Sequence, residues 1–204
     1  MSIRNTKIAN IYFGIIEKRI IPFLVTLQIH PNSFTLVGVG FALFVPAGFY
    51  FHPSFGFIFL ILSGIFDTFD GIVARVTQKT SAFGAFLDST TDRVSDFLYL
   101  YGFWILFWKS GQGLILSGVF VFSSFLFTLL ISYTKARIEA LGCECEVGVM
   151  SRAVRVLFLL GWALILSFVQ GGVFLWAGLA IYWLLTLGTV LQRVKVAWQV
   201  LNNT

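Results

Sequence analysis

Charge is scarce in this chain. Only 11% of its 204 residues are Asp, Glu, Lys or Arg, against roughly 25% in a soluble domain. With 58% hydrophobic residues and Phe alone at 24 positions, the chain lacks the polar surface that an aqueous fold requires, so an integral membrane protein is expected. Cysteine and histidine are nearly absent too. Cys143 and Cys145 lie too close in sequence to staple a fold. His30 and His52 are the only histidines and neither is near that pair, so no zinc site is expected there. The acidic residues number nine, and all five aspartates fall between Asp67 and Asp96.

The apolar residues run in long blocks. Six segments, about 33–51, 54–76, 84–108, 113–134, 153–170 and 172–192, approach the roughly 20 residues a bilayer crossing demands. Continuous runs of this kind exclude a transmembrane barrel, whose strands alternate. The stretch over residues 6–28 is apolar but broken by Glu17, Lys18 and Arg19, and reads as an amphipathic helix on the membrane surface. The expected architecture is therefore all-α, an N-terminal juxtamembrane helix over 1–29 followed by a six-helix transmembrane domain over 30–204. Lys and Arg cluster at the two ends and in the connectors after the second and fourth spans, with only Lys109 on the other side. By the positive-inside rule both termini and the 76–83 connector are cytoplasmic.

The aspartates are regularly spaced. Asp67 and Asp70 share one helix face with Gly71, Ala74 and Arg75, an arc of about 140° at 100° per residue. Gly84, Asp88, Asp92 and Asp96 recur every fourth residue on the next helix. A short connector makes the two helices antiparallel neighbours, so Asp67, Asp70, Asp88 and Asp92 can surround one cavity open to the cytoplasm. Buried carboxylates are costly unless a cation joins them. Four anionic oxygen donors suit one or two hard divalent cations, Mg²⁺ or Mn²⁺, of the kind that serve phosphoryl chemistry. Gly71, Ala74 and Gly84 leave room for a bulky ligand, and Arg75 can neutralise a phosphate.

The pattern DxxDGxxAR, eight residues, then GxxxDxxxD resembles the signature of the CDP-alcohol phosphotransferases. Asp67, Asp70, Gly71, Ala74, Arg75, Gly84, Asp88 and Asp92 match it without departure. The resemblance implies a membrane transferase of phospholipid biosynthesis that moves a phosphatidyl or related group from a CDP-linked donor to an acceptor hydroxyl and releases CMP. It implies two divalent cations on Asp67, Asp70 and Asp88, with Asp92 completing the acidic metal set and acting as general base. Gly71, Ala74, Arg75 and Gly84, with Asn32 and Thr35 of the PNSFT turn, would line the nucleotide site. A homodimer is implied as well, in contact with membrane lipids, and no nucleic-acid partner is expected.

The second basic region, SYTKARIEALG followed by VG and SRAVR, resembles the inositol-phosphate-using branch. Ser132, Lys135, Arg137, Arg152 and Arg155 would bind a phosphorylated polyol, with inositol phosphate the favoured acceptor and CDP-diacylglycerol or a similar lipid the donor. Glycerol 3-phosphate is the runner-up acceptor, and a divalent-cation transporter is the alternative from another class. Asp96 lies outside the signature. It is expected to matter least, its charge met by Arg93.

Overall fold

The computed structural model describes Pro22, Thr26 and residues 29–143, 147–169 and 171–202. These form six helices and no strands among the described residues: α1 Pro31–Phe51, α2 Pro53–Val76, α3 Ala82–Lys109, α4 Leu114–Ala140, α5 Arg152–Phe168 and α6 Gly172–Leu201. Apart from Pro22 and Thr26, the surface helix expected over 6–28 lies outside the described residues, as does Cys145. Cys143 is a free thiol.

Local chemistry sets the helix boundaries. Pro31 and Pro53 occupy the first turns of α1 and α2, where a missing N–H costs nothing. The preceding His30 and His52 accept from the amides of Asn32 and Ser54 through their imidazole Nδ1 atoms. Ser81 caps α3 by accepting from Gly84 N–H at 2.9 Å. At the far end of α1, the Lys109 ammonium donates to the carbonyls of Tyr50 and Phe51 at 2.7 and 2.9 Å. It thereby satisfies carbonyls that the helix end leaves orphaned.

Helix α1 packs most closely on α2 and then on α3, α4 packs on α6, and α5 packs on α2. The α1–α2 hairpin depends on small residues: a Cβ on Gly48 would meet Gly56 N at 2.8 Å, well inside contact distance. Phe49, Phe103, Phe107, Leu159 and Leu179 fill the interior with no exposure, and Phe103 stacks on Trp162 with centroids 4.0 Å apart. The outer surface is as apolar as the core. Ile115 is 85% exposed, Phe168 81% and Val173 79%, a pattern that lipid tolerates and water does not.

Among the described residues, four helices, α1, α2, α4 and α6, are long and apolar enough to cross a membrane. Helix α3 carries Asp88, Asp92, Arg93 and Asp96, and α5 has 17 residues and begins on Arg152. Their polar ends meet the C-terminal half of α2, which carries Asp67 and Asp70, at the site.

Candidate active site

The site lies where the C-terminal half of α2, the N-terminal half of α3 and the start of α5 converge. Asp67, Asp70 and Asp88 each offer a carboxylate oxygen, all within 4.8 Å of one another. Thr35 of α1 donates its hydroxyl to Asp70 Oδ2 at 2.6 Å. Asp70 is 6% exposed, and among the described residues no Lys or Arg is ion-paired with either Asp70 or Asp88. Asp70, buried, and Asp88, half-buried, have no ion-pair partner among the described residues, and with Asp67, which Arg152 holds, they form an all-oxygen anionic set that fits a hard divalent ion. Asp92 is not a member of this triad.

All six residues expected at a nucleotide site, Asn32, Thr35, Gly71, Ala74, Arg75 and Gly84, line one cleft together with Asp70 and Asp88. A Cβ on Gly84 would stand 3.3 Å from Asn32 Oδ1 and 3.1 Å from Ser81 Oγ, so this wall has no spare room. Lys79, Thr80 and Ser81 of the α2–α3 turn line the cleft as well. In sequence Lys79 reads as one of the topology charges of the 76–83 connector, because a cytoplasmic lysine and a ligand-facing lysine look alike there.

A second cavity of about 280 Å³ has Asp92 in its wall. It is lined by Asp92, Arg93, Asp96, Ser132, Lys135, Arg152, Arg155 and Arg193, among others. Four of the five residues expected at the acceptor site are therefore together, whereas Arg137 is exposed and outside the lining. Arg193, on α6, was missed. It donates to the carbonyls of Val147 and Ile131.

The arginines of this cavity are engaged by carboxylates and carbonyls of the protein. Arg152 holds both oxygens of Asp67, at 2.7 and 3.0 Å, and its Nη2 lies 2.7 Å from Asp92 Oδ1. The contact with Asp92 is an ion pair outside hydrogen-bond alignment, so that oxygen accepts no well-directed bond. Arg155 is 1% exposed and donates to Asp96 Oδ2 at 2.8 Å and to the Met150 carbonyl at 3.1 Å. This corrects the expectation for Asp96, whose charge is met by Arg155 rather than Arg93. The Arg93 guanidinium donates to the Ser89 carbonyl and lies 3.8 Å from Asp92. The Lys135–Glu139 pair at 3.6 Å is about half exposed, a geometry that contributes little.

A bundle with an apolar exterior, an acidic triad and two polar cavities lined by successive aspartates of α3 fits a membrane enzyme acting on phosphorylated ligands. The particular family follows from comparison. A family model described as CDP-alcohol phosphatidyltransferase matches residues 28–190. The archaetidylinositol phosphate synthase of Methanothermobacter thermautotrophicus is 32% identical over 202 residues, covering 96% of each chain. The phosphatidylinositol phosphate synthase of Streptomyces avermitilis is 33% identical over 200 residues, 92% of this chain and 80% of that one. Among solved structures, the Mycobacterium tuberculosis phosphatidylinositol phosphate synthase with CDP-DAG bound superposes with a TM-score of 0.72 at 28% identity, covering 88% of this chain and 92% of that one. The same enzyme has been solved with manganese and citrate. This chain belongs to the CDP-alcohol phosphatidyltransferase family. It is an integral membrane transferase of phospholipid biosynthesis that depends on a divalent metal and releases CMP from a CDP-linked donor.

Proposed function

We propose that the chain transfers a phosphatidyl group from CDP-diacylglycerol, or a lipid built like it, to inositol phosphate. The observation that carries this reading is a pair of cavities of different chemistry, one lined by Asp88 and the other by Asp92, one turn apart on α3. The first is the cleft with Arg75 and Lys79, beside the acidic triad; the second is the basic cavity with Lys135, Arg152 and Arg193. A donor pyrophosphate fits the first, and a phosphorylated polyol fits the second. The names of the relatives support the same acceptor.

The chemistry balances simply. The acceptor hydroxyl oxygen bonds to the lipid-bearing phosphorus while the bond from that phosphorus to the CMP oxygen breaks. The hydroxyl proton passes to Asp92, and CMP leaves with the bonding electrons. Asp67, Asp70 and Asp88 would hold two divalent cations, Mg²⁺ or Mn²⁺, which would supply Lewis-acid charge at the donor's pyrophosphate. Thr35 fixes the Asp70 carboxylate, Gly71 and Gly84 let the nucleotide approach the helix backbones, and Arg75 answers a phosphate charge. Arg193 and Lys135 answer the acceptor's phosphate.

Six spans, with the surface helix before them, both termini and the site on the cytoplasmic side, and a homodimer belong to the same reading. In it, α3 and α5 cross the bilayer as well, with their polar ends shielded in the bundle. A glycerol 3-phosphate acceptor remains the runner-up, since the basic cavity recognises phosphate before it recognises a polyol. Membership in a transferase family leaves the cation-transporter alternative without support.

Two variants test the division of labour. Gly84→Ala places a methyl against Asn32, and the KM for the CDP-lipid is expected to rise about tenfold with the acceptor KM unchanged. Arg152→Gln frees both oxygens of Asp67 from their guanidinium. Mn²⁺ should then bind several-fold more tightly, while turnover at limiting inositol phosphate falls. Isothermal titration with Mn²⁺ and steady-state assays of CMP release check both, and unchanged Mn²⁺ affinity in Arg152→Gln would contradict the shared-carboxylate reading.

A further inference from the structure

Helices α3 and α5 run in the same direction and are joined by a ladder of three cross-links. Asp92 meets Arg152, Asp96 meets Arg155 one turn deeper, and Phe103 stacks on Trp162 deeper still. The middle rung is the unusual one. Both its side chains are at most 3% exposed, and Asp96 Oδ1 and Arg155 Nε have no hydrogen-bond partner. An ion pair this deep is rarely kept for stability, since well-packed hydrophobes of similar volume hold as well or better. A specific geometric duty is the better explanation.

Arg155 reaches beyond Asp96. Its Nη1 donates to the Met150 carbonyl, the last residue but one before Arg152. The same segment is stitched to α6 by two bonds: Met150 N–H donates to Thr189 Oγ1 at 3.2 Å, and Arg193 Nε donates to the Val147 carbonyl at 2.9 Å. Gly148 adopts φ +109°, and a Cβ there would collide with the Thr189 methyl, so the segment lies flat on α6. The chain enters α5 directly from this fixed turn, and the first helical residue is Arg152. If the Arg155 guanidinium let go of Met150, the turn carrying Ser151 and Arg152 would lose its anchor to α3.

We propose that Asp96 is a positioning residue for the acceptor half of the site, acting through Arg155 and the Met150 carbonyl to hold Ser151 and Arg152 at the cavity wall. Asp96 itself touches neither donor nor acceptor. Its carboxylate neutralises Arg155 in a low-dielectric interior and fixes the direction in which that guanidinium points. Without that charge, the carboxylate next along α3 is Asp92, and Arg155 would turn toward the base. The inference rests on the acceptor reading given above, with a phosphorylated polyol in the cavity that Arg152 and Arg193 line.

The test uses the purified full chain in detergent, with Asp96→Asn, Asp96→Glu and Ser123→Ala, the last a half-buried control whose hydroxyl accepts from Trp183 Nε1 between α4 and α6. KM is measured separately for CDP-diacylglycerol and for inositol phosphate. Asp96→Asn is expected to raise the acceptor KM about tenfold and leave the donor KM within about twofold. Asp96→Glu, which keeps the charge one methylene further out, should raise the acceptor KM about threefold, and Ser123→Ala should move neither. A lower active fraction with unchanged acceptor KM would overturn the proposal, and so would equal shifts in both KM values. Should Asp96→Asn not be recoverable folded, the acceptor KM of Asp96→Glu decides alone. Wild type that turns over a different phosphorylated acceptor but not inositol phosphate would refute the acceptor assignment, and the Asp96 comparison is then read with that other acceptor.

Discussion

Asp92→Asn is expected to lower kcat by about three orders of magnitude, within the range that removal of a positioned base produces. Binding of CDP-diacylglycerol and of Mn²⁺ should be nearly unchanged. The separation follows from geometry. The triad that fits a metal is Asp67, Asp70 and Asp88, each within 4.8 Å of the others, and Asp92 is outside it, buried against Arg152 at the acceptor cavity. An amide keeps the shape of the carboxylate but cannot take the hydroxyl proton. Such a loss in kcat corresponds to about 4 kcal/mol of transition-state stabilisation. Equilibrium binding of a CDP-lipid beside single-turnover CMP release would separate the two effects. A variant that bound donor poorly and turned over normally once saturated would move Asp92 from the base to the donor site.

Asp70→Asn should have the opposite profile. Asp70 is almost fully buried, and the side-chain bond it receives comes from the neutral hydroxyl of Thr35. Its charge is therefore uncompensated by protein and is available to a cation. Replacing it by an amide should weaken Mn²⁺ binding by at least about tenfold, and turnover should fall by about 10³, since positioning and charge neutralisation carry phosphoryl transfer. Stability should move the other way. Removing an unpaired buried charge relieves its desolvation cost, so the metal-free variant should melt no lower than wild type and a little higher. Mn²⁺ titration and thermal unfolding in detergent check both. Loss of activity accompanied by a lower melting temperature and intact Mn²⁺ binding would mean that Asp70 holds the fold rather than the metal.

The acidic stripe was readable from sequence because helix period and residue spacing coincide. Residues three and four apart share a face wherever a helix forms, and a short α2–α3 turn brings two such faces together. The cleft lined by Asn32, Thr35, Gly71, Ala74, Arg75 and Gly84 was legible for the same reason, helped by the family signature. The basic residues were less readable. Arg137, Arg152 and Arg155 carry the same signal in sequence, since each obeys the positive-inside rule and each lies near the same connector. In the fold, Arg137 is exposed, Arg152 bridges Asp67 and Asp92, and Arg155 is sealed inside with Asp96. Those partners are 59 to 85 residues distant along the chain, and no local periodicity reports on them. Asp96 illustrates the limit. Arg93 is its neighbour on the helix, yet the charge that meets it comes from α5.

The division of the site into a donor half and an acceptor half is most directly tested by CMP release. Purified protein in detergent is supplied with CDP-diacylglycerol and Mg²⁺ or Mn²⁺, and inositol phosphate, inositol, glycerol 3-phosphate and serine are offered one at a time. The expected result is metal-dependent CMP release with inositol phosphate and little with unphosphorylated inositol, since Lys135, Arg152 and Arg193 ask for a phosphate. Release with inositol or serine, and none with either phosphorylated acceptor, would contradict it.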